Sequence, residues 1–339
     1  MRMFKLVLAP SFIVLAAACG HQGGGGGGGG GADAPGATPA FEITSTDVSI
    51  AAGQEATYAY YFHTTNTTPV AVNKWTSSMS TGSHHAIMYI FQSNTGGPPD
   101  GIDMHDSCGP QGGGSATNIG VWTYATQMEQ QEQALPTDDG AGKPVAQLIQ
   151  PNSAGCFQLH YLNSTDNAIM AHIDLKAFAL PTGSAYTQTE AYVTYQYNIT
   201  VGPGATGVTV SASCPVPSGV KFWTMSSHSH KQSVATDISD ASAAVFHATD
   251  WEHPGAQQWM TAPFYSFASP NLTWSCTYNN NAPAPYCDQT ATGPCSNADA
   301  TVVQGTSART NEMCMAVGYF FPATAPKFEI SYNGSCIGM

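Results

Sequence analysis

Short runs of β-branched and aromatic residues, bounded by clusters of glycine, proline, asparagine and serine, recur along this chain, and no amphipathic period of 3.6 is sustained anywhere. The clearest runs are 57–64, 85–92, 156–162, 169–180, 190–201, 220–225, 271–278, 313–321 and 328–332. Several alternate in polarity. Val193-Thr194-Tyr195-Gln196-Tyr197-Asn198-Ile199-Thr200 has the period of two that marks a strand with one buried face. This punctuation argues against helical bundles and coiled coils. So does a charged fraction of 9%, against about 25% in an average soluble chain. The expected fold class is all-β, built as β-sandwiches or jelly rolls. A chain of 339 residues suffices for about two domains. Val201-Gly202-Pro203-Gly204 near the middle punctuates two halves of similar size, with the boundary expected around 190–205. At 42% hydrophobic residues each half can build a core, which argues against global disorder.

Residues 1–19, MRMFKLVLAPSFIVLAAAC, have the layout of an export signal. Arg2 and Lys5 form a positive start, and Leu6 to Ala18 form an apolar stretch too short to span a bilayer. Ala16, Ala17 and Ala18 lead directly to Cys19, which resembles a bacterial lipoprotein signal with Cys19 as the lipid-bearing first residue of the mature chain. An ordinary secretory signal is the alternative, and both imply export. The expected location is periplasmic, or anchored at the outer membrane or cell surface. Membrane contact is expected through the lipid alone, because no later stretch approaches the ~18 apolar residues of a spanning helix. Residues 20–40, with an uninterrupted glycine run from Gly23 to Gly31, read as a flexible tether. The folded part is expected to begin near Phe41.

The formal charge is −13, and two of the nine basic residues lie in the leader. A nucleic-acid partner requires a clustered basic face, which this sequence lacks. Eight cysteines remain after Cys19: Cys108, Cys156, Cys214, Cys276, Cys287, Cys295, Cys314 and Cys336. An even set in an oxidising compartment favours disulfides, and the absence of Cys-x-x-Cys weakens a zinc ribbon. Five Asn-x-Ser/Thr sequons, at Asn66, Asn163, Asn198, Asn271 and Asn333, are expected by chance in a chain this rich in those residues.

Three histidine arrangements stand out among eleven histidines. His84-His85 opens the apolar run Ala86-Ile87-Met88-Tyr89-Ile90. Adjacent strand residues point to opposite faces, so two ligands to one metal require a bulge or a strand start, which Gly82 and Ser83 permit. His160 lies in Cys156-Phe157-Gln158-Leu159-His160-Tyr161, where Gln158 shares its face and could orient a metal-bound ring. A histidine alone in that position is more often structural. His228-Ser229-His230 is a stronger signal, because an i, i+2 pair on a strand projects both imidazoles from one face. Asn311-Glu312-Met313-Cys314-Met315 then offers a thioether. Methionine is ordinarily core filler, and its meaning changes only if it faces the histidine pair.

Taken in order, four motifs resemble the copper type II, ascorbate-dependent monooxygenases, the family of peptidylglycine α-hydroxylating monooxygenase and dopamine β-monooxygenase. They are His84-His85 with its apolar run, Gln158-Leu159-His160-Tyr161, His228-Ser229-His230 and Glu312-Met313-Cys314. Glu252-His253-Pro254 and Gly305-Thr306-Ser307 also match, so the resemblance runs from about Phe41 to Cys336. It implies two tandem jelly-roll-like domains, 41–195 and 196–339, each carrying one copper and facing the other across a solvent-filled cleft. By the same resemblance His84, His85 and His160 hold the electron-supplying copper. His228, His230 and Met313 are the catalytic set, holding the copper where oxygen binds and substrate is attacked. The residue chemistry agrees, since imidazoles suit copper in either oxidation state and a soft thioether favours Cu(I) over zinc. Met225 and Met315 are competing thioethers, and the family motif selects Met313. The resemblance further implies disulfides Cys276–Cys314 and Cys214–Cys336. Cys287–Cys295 is expected to close a local loop, which leaves Cys108–Cys156, in a first domain with fewer bridges than the animal enzymes carry.

The departures fall on the substrate side. Peptidylglycine hydroxylases carry an arginine two residues before the paired histidines, where this chain has Ser226. Two further substrate contacts after the methionine motif appear here as Met315 and Val317. Without the bidentate arginine contact a terminal carboxylate is poorly held, so a peptide C-terminal glycine is disfavoured as substrate. The expected activity is hydroxylation of a C–H bond in a small molecule. One atom of O2 is inserted and the other leaves as water, with electrons from ascorbate or a similar reductant. The alternative is a non-catalytic, lipid-anchored copper- or carbohydrate-binding surface protein. Hydrolytic motifs are absent: there is no Gly-x-Ser-x-Gly elbow and no His-Glu-x-x-His helix.

Overall fold

The first strand, Phe41–Thr44, starts where the glycine-rich composition gives way to apolar alternation, and its burial alternates with it. The computed structural model describes residues 38–94, 97–106, 108, 120–281, 300–323, 330–331 and 336–337. The signal, most of the tether, Cys19, Cys287 and Cys295 lie outside the described residues. Every regular element among the described residues is a β-strand, and the fold is an all-β sandwich architecture.

In the first half, one sheet runs Phe41–Thr44, Ile173–Ala179, Val70–Met79, Val145–Ile149, Thr187–Gln188, with Gln130–Ala134 also paired to Val70–Met79. The other runs Gly101–Asp103, Glu55–His63, Ala154–Leu162, Ser83–Phe91, Gly120–Thr126. Between them lie Tyr58, Phe62, Trp75, Met88, Phe157, Leu159, Tyr161 and Leu175, all buried. The outward face of the second sheet is also covered: Tyr61, Ile87, Tyr89 and Cys156 form their own buried cluster. A strand buried on both faces loses its polar alternation, as Ala154–Leu162 shows with a single half-exposed residue, Gln158.

The second half repeats the arrangement. A sheet of Ala256–Gln258, Lys221–Ser229, Cys314–Phe321, Glu190–Thr194, Cys336–Ile337 and Ile330–Ser331 opposes one of Val208–Pro215, Asn271–Tyr278, Ser233–Asp240 and Ala243–Ala248. Tyr192, Phe222, Met225, Trp274, Tyr278, Ala316 and Phe320 fill the space between. The alternate residues of the same strands, Val193, Met315, Tyr319 and Phe321, belong instead to the hydrophobic cluster of the first half. The two sandwiches therefore share a packed seam, and Cys314–Phe321 at that seam reads Cys-Met-Ala-Val-Gly-Tyr-Phe-Phe with no alternation at all.

Two sequence expectations change here. Residues 190–201 were expected as one strand, but pairing covers only Glu190–Thr194 and then Thr200–Val201. In between, Gln196 N–H still donates to Cys314 O at 2.9 Å, while its Nε2 donates to Ser211 O and its Oε1 accepts the Asn198 N–H, so the side chain takes over where the ladder stops. The halves also divide earlier than 195/196. Glu190–Thr194 pairs with Cys314–Phe321 and Cys336–Ile337 of the second half, because all five of its residues are buried and only a two-sided strand position accommodates that. The crossover is Thr189, whose hydroxyl donates to Phe320 O and accepts from Trp223 Nε1.

The structure bridges Cys108 to Cys156, Cys214 to Cys336 and Cys276 to Cys314, as expected; the fourth expected bridge involves residues outside the described set. Asn66 and Asn163, both in sequons, are buried and spend their amides on backbone carbonyls.

At the start of Ser83–Phe91 the ladder to Ala154–Leu162 slips: His85 pairs with His160, but Tyr161 pairs with Ser83, so His84 is an extra, bulged residue. Gly82, just before it, has φ +89°, and a Cβ there would stand 2.7 Å from Ile169 Cδ1 and 3.2 Å from Leu162 O. Gly82→Ala is expected to cost about 1–3 kcal/mol through this strain. Thermal unfolding followed by circular dichroism should show a lower midpoint than the parent chain.

Candidate metal centre

The bulge turns His84 to the side on which His85 already sits. The His84, His85 and His160 rings lie 5.0 Å apart, centroid to centroid, in all three pairs. From the second half, His228 is the penultimate residue of the strand Lys221–Ser229, and His230 is the first residue of a tight turn closed by Ser233 N–H to His230 O at 3.0 Å. Their rings are 5.3 Å apart. His84 lies 5.2 Å from His228 and 5.8 Å from His230, and His85 lies 4.9 Å from His228. The two expected histidine sets therefore meet at the seam instead of facing one another across open solvent. Two overlapping triads have their donor atoms within 4.8 Å: His84, His85, His160 and His84, His228, His230.

Four of the rings are fastened through one nitrogen. His160 Nε2 contacts Glu55 Oε1 at 2.7 Å, and His85 Nε2 contacts Gln158 Oε1 at 3.3 Å. His228 Nδ1 contacts Gln127 Oε1 at 2.8 Å, and His230 Nδ1 contacts Asn311 O at 3.2 Å. Gln127 also donates its Nε2 to Ser227 O at 3.1 Å, which settles that its oxygen faces His228. All four partners are acceptors, so each ring donates from that nitrogen and presents a bare lone pair on the other. Those other nitrogens, His85 Nδ1, His160 Nδ1, His228 Nε2 and His230 Nε2, are buried without a hydrogen-bond partner, as are both nitrogens of His84. An unpaired buried polar atom costs about 1–3 kcal/mol, so six together rival the roughly 5–15 kcal/mol of a whole domain's net stability. A metal ion could satisfy converging lone pairs of this kind.

Electrostatics favour the ligand form. Burial, and then the neighbouring rings, hold His84, His85 and His228 well below the usual imidazole range and His230 at about 4. Neutral imidazole is what a metal binds. Burial opposes ionisation of Glu55, but His160 and the donors at Ala308 and Ser307 outweigh it and hold its carboxyl at about 2. Glu55 also joins the halves: it accepts from Ser307 Oγ at 2.9 Å and from Ala308 N at 2.6 Å, and Arg309 Nε lies 3.7 Å away. Glu312, fully buried, accepts the backbone N–H groups of His230 at 3.0 Å and Gln232 at 2.7 Å. Burial nonetheless pushes its pKa up to about 8.

Met313 lines a cavity shared with His85, His228 and Met315. Strand register ends with Ser229 paired to Cys314, so Met313 and His230 each lie one residue beyond that last pair. Met315 pairs with His228 on the same face, whereas Met225 is buried in the second core and is removed from contention. Gln158, expected beside His160, serves His85 instead, and the partner of His160 is Glu55. Glu55, Gln127 and Trp251, whose ring lies 5.3 Å from His84, carried no motif signal.

The cavity, about 280 Å³, opens beside the histidines between the facing sheets. Ile87, Tyr89, Trp122, Tyr195, Thr224, Ser226, Met315, Val317 and Tyr319 line it, with Gln127, Gln131, Gln133 and Gln258 at its polar side. His253, Pro254 and Thr306, from the two lesser motifs, reach it too.

No family model matches this chain, and no curated protein matches it. Solved structures similar to it include the peptide N-glycanase F, with 9% identity, 82% of this chain, 95% of that one and a TM-score of 0.32. The major capsid protein P2 of bacteriophage PM2 covers 82% of this chain and 97% of its own at 8% identity and a TM-score of 0.25. The PBSX exported protein XepA gives 82% and 86% at 8% identity and a TM-score of 0.19. Likenesses this distant leave function to be argued from the site residues.

Glu55→Gln keeps the shape but removes the charge that orients His160. Metal affinity, measured by competition with a chelator, should fall about 10–100-fold, with the described disulfides and the far-ultraviolet spectrum retained.

Proposed function

We propose that this chain is a copper-dependent monooxygenase that hydroxylates a C–H bond of a neutral, largely apolar small molecule, using O2 and a one-electron reductant such as ascorbate. The observation that carries the reading is the convergence of six unpartnered imidazole nitrogens beside a cavity lined by thioethers and aromatic rings. His84, His85 and His160 would hold one copper, and His228, His230 and Met313 the other. Soft sulfur beside imidazole selects copper over zinc or magnesium. Bound copper supplies the one-electron chemistry that O2 activation requires.

The chain's own residues do the rest. Gln158, Glu55, Gln127 and the Asn311 carbonyl hold four rings by their outer nitrogens, so the inner lone pairs need no reorganisation. Trp251 lies against His84 and limits water at that ring. The cavity binds and orients the substrate. Ser226 spends its hydroxyl on Gly255 O at 2.5 Å, and no lysine or arginine is among the described residues lining the cavity. A carboxylate substrate would find no cation there, whereas rings and methyl groups find Tyr89, Trp122, Met315 and Val317. Export, with a lipid on Cys19, is the location that fits the disulfides and the leader.

Purified chain loaded with copper and dialysed should retain two coppers per molecule. With ascorbate and a neutral aromatic substrate it should consume O2 and release hydroxylated product. His228→Ala or Met313→Ile should abolish product formation. Copper retention with no O2-dependent product from any screened substrate would instead identify a copper-binding protein. Ser226→Arg places a guanidinium in the cavity, and the ratio of kcat/KM for a carboxylate substrate to that for its neutral amide should rise at least about tenfold.

A further inference from the structure

We propose that Glu312 is the positioning residue of the second histidine set: its carboxyl group, not the sheet, fixes the backbone that carries His230. This rests on the copper reading above and goes beyond it, since that reading gives Glu312 no part. The last ladder pair between Lys221–Ser229 and Cys314–Phe321 joins Ser229 to Cys314, so His230 stands beyond the strand pairing. Its N–H goes instead to Glu312 Oε2 at 3.0 Å. The Gln232 N–H, two residues on in the same turn, goes to Glu312 Oε1 at 2.7 Å. Both oxygens of one fully buried carboxyl therefore hold one turn at two points. His85 and His160, by contrast, pair with one another inside a ladder, so the first set needs no such post.

The post is itself fixed. Glu312 N–H donates to Val303 O at 2.9 Å, and the Glu312 carbonyl accepts from Gly305 N–H at 3.1 Å. On one side of it the Asn311 carbonyl faces His230 Nδ1 at 3.2 Å, and on the other Met313 O accepts from Tyr278 Oη at 2.9 Å. Gly305 packs so closely behind Asn311 that a Cβ there would stand 2.5 Å from Asn311 Cγ. Three consecutive residues thus serve one set of ligands. Asn311 sets the tilt of the His230 ring, Glu312 sets where its backbone lies, and Met313 is the thioether that the copper reading gives to the same ion. Glutamine has the shape of glutamate but turns one acceptor oxygen into an NH2 that faces an N–H donor. One of the two holds on the turn is then lost.

Chelator competition on the intact chain measures copper affinity in two backgrounds. His85→Ala leaves the second set, and adding Glu312→Gln to it should weaken copper binding about 10–100-fold. His228→Ala leaves the first set, and there Glu312→Gln should leave the affinity unchanged. A carboxyl that only stabilises the fold would weaken both backgrounds alike. That result, or no change in either, would overturn the proposal and leave the copper reading standing. A parent chain that binds no copper would overturn both, and loss of copper from both backgrounds before Glu312 is changed would overturn the separate sets and this proposal with them. Should Glu312→Gln not fold, Glu312→Asp, which draws the carboxyl back by one carbon, takes its place with the same expected split. In the metal-free parent chain the amide protons of His230 and Gln232 should be protected from hydrogen exchange. Rapid exchange of either would overturn the hold.

Discussion

Glu55 is charged and largely buried at once, and the arrangement around it shows what the rest of the molecule depends on. Its carboxylate takes a hydrogen bond from His160 on one side and from Ser307 and Ala308 on the other. The first belongs to the first sandwich and the others to the second. A buried charge is tolerable only while its partners stay in place, so separating the halves would strand the carboxylate, with Arg309 beside it. Gln127 acts in the same sense, reaching from the first half to the ring of His228 and to Ser227 O. The seam that orients the imidazoles is thus the seam that joins the two sandwiches. Packing of Met315, Tyr319 and Phe321 into the first core adds the apolar part of that junction.

Much of this could be read from the residues. Asn271–Tyr278 matches its expected strand at both ends, and most other runs lie within a few residues of theirs. Strand parity required a bulge or a strand start at His84-His85 if both rings were to reach one site, and the structure has the bulge; His228 and His230, read as an i, i+2 strand pair, lie with rings 5.3 Å apart although His230 falls in the turn after the strand. What could not be read is what lies far away in sequence. Glu55 is 105 residues from His160, and Gln127 is 101 from His228. A carboxylate and an amide on otherwise ordinary strands carry no motif, because their role exists only after two sheets meet. The same cause moved the boundary: Glu190–Thr194 looks like a continuation of the first half until its pairing with Cys314–Phe321 is seen. The two histidine sets, expected apart, converge on His84 for a reason no spacing rule contains, namely the contact between sandwiches.

The histidine cluster and the cavity wall share the same strands in this fold. Along Lys221–Ser229 the residues facing the seam are Thr224, Ser226 and His228, and all three reach the cavity; along Cys314–Phe321 they are Met315, Val317 and Tyr319, with Met313 one step before. Same-face neighbours on a strand stand about 6.5–7 Å apart. The position beside His228 therefore lies one such step from its ring, and the next lies one further step away. The imidazoles near the ends of the strands are constrained by the hydrogen bonds that hold their rings, while the positions behind them are constrained only by shape and polarity. A replacement at Ser226 or Val317 can re-address the cavity without moving His228 or Met313, because parity keeps the side chains on the same wall and the backbone ladder keeps their spacing. Such a scaffold can keep the histidine positions fixed while the lining behind them changes.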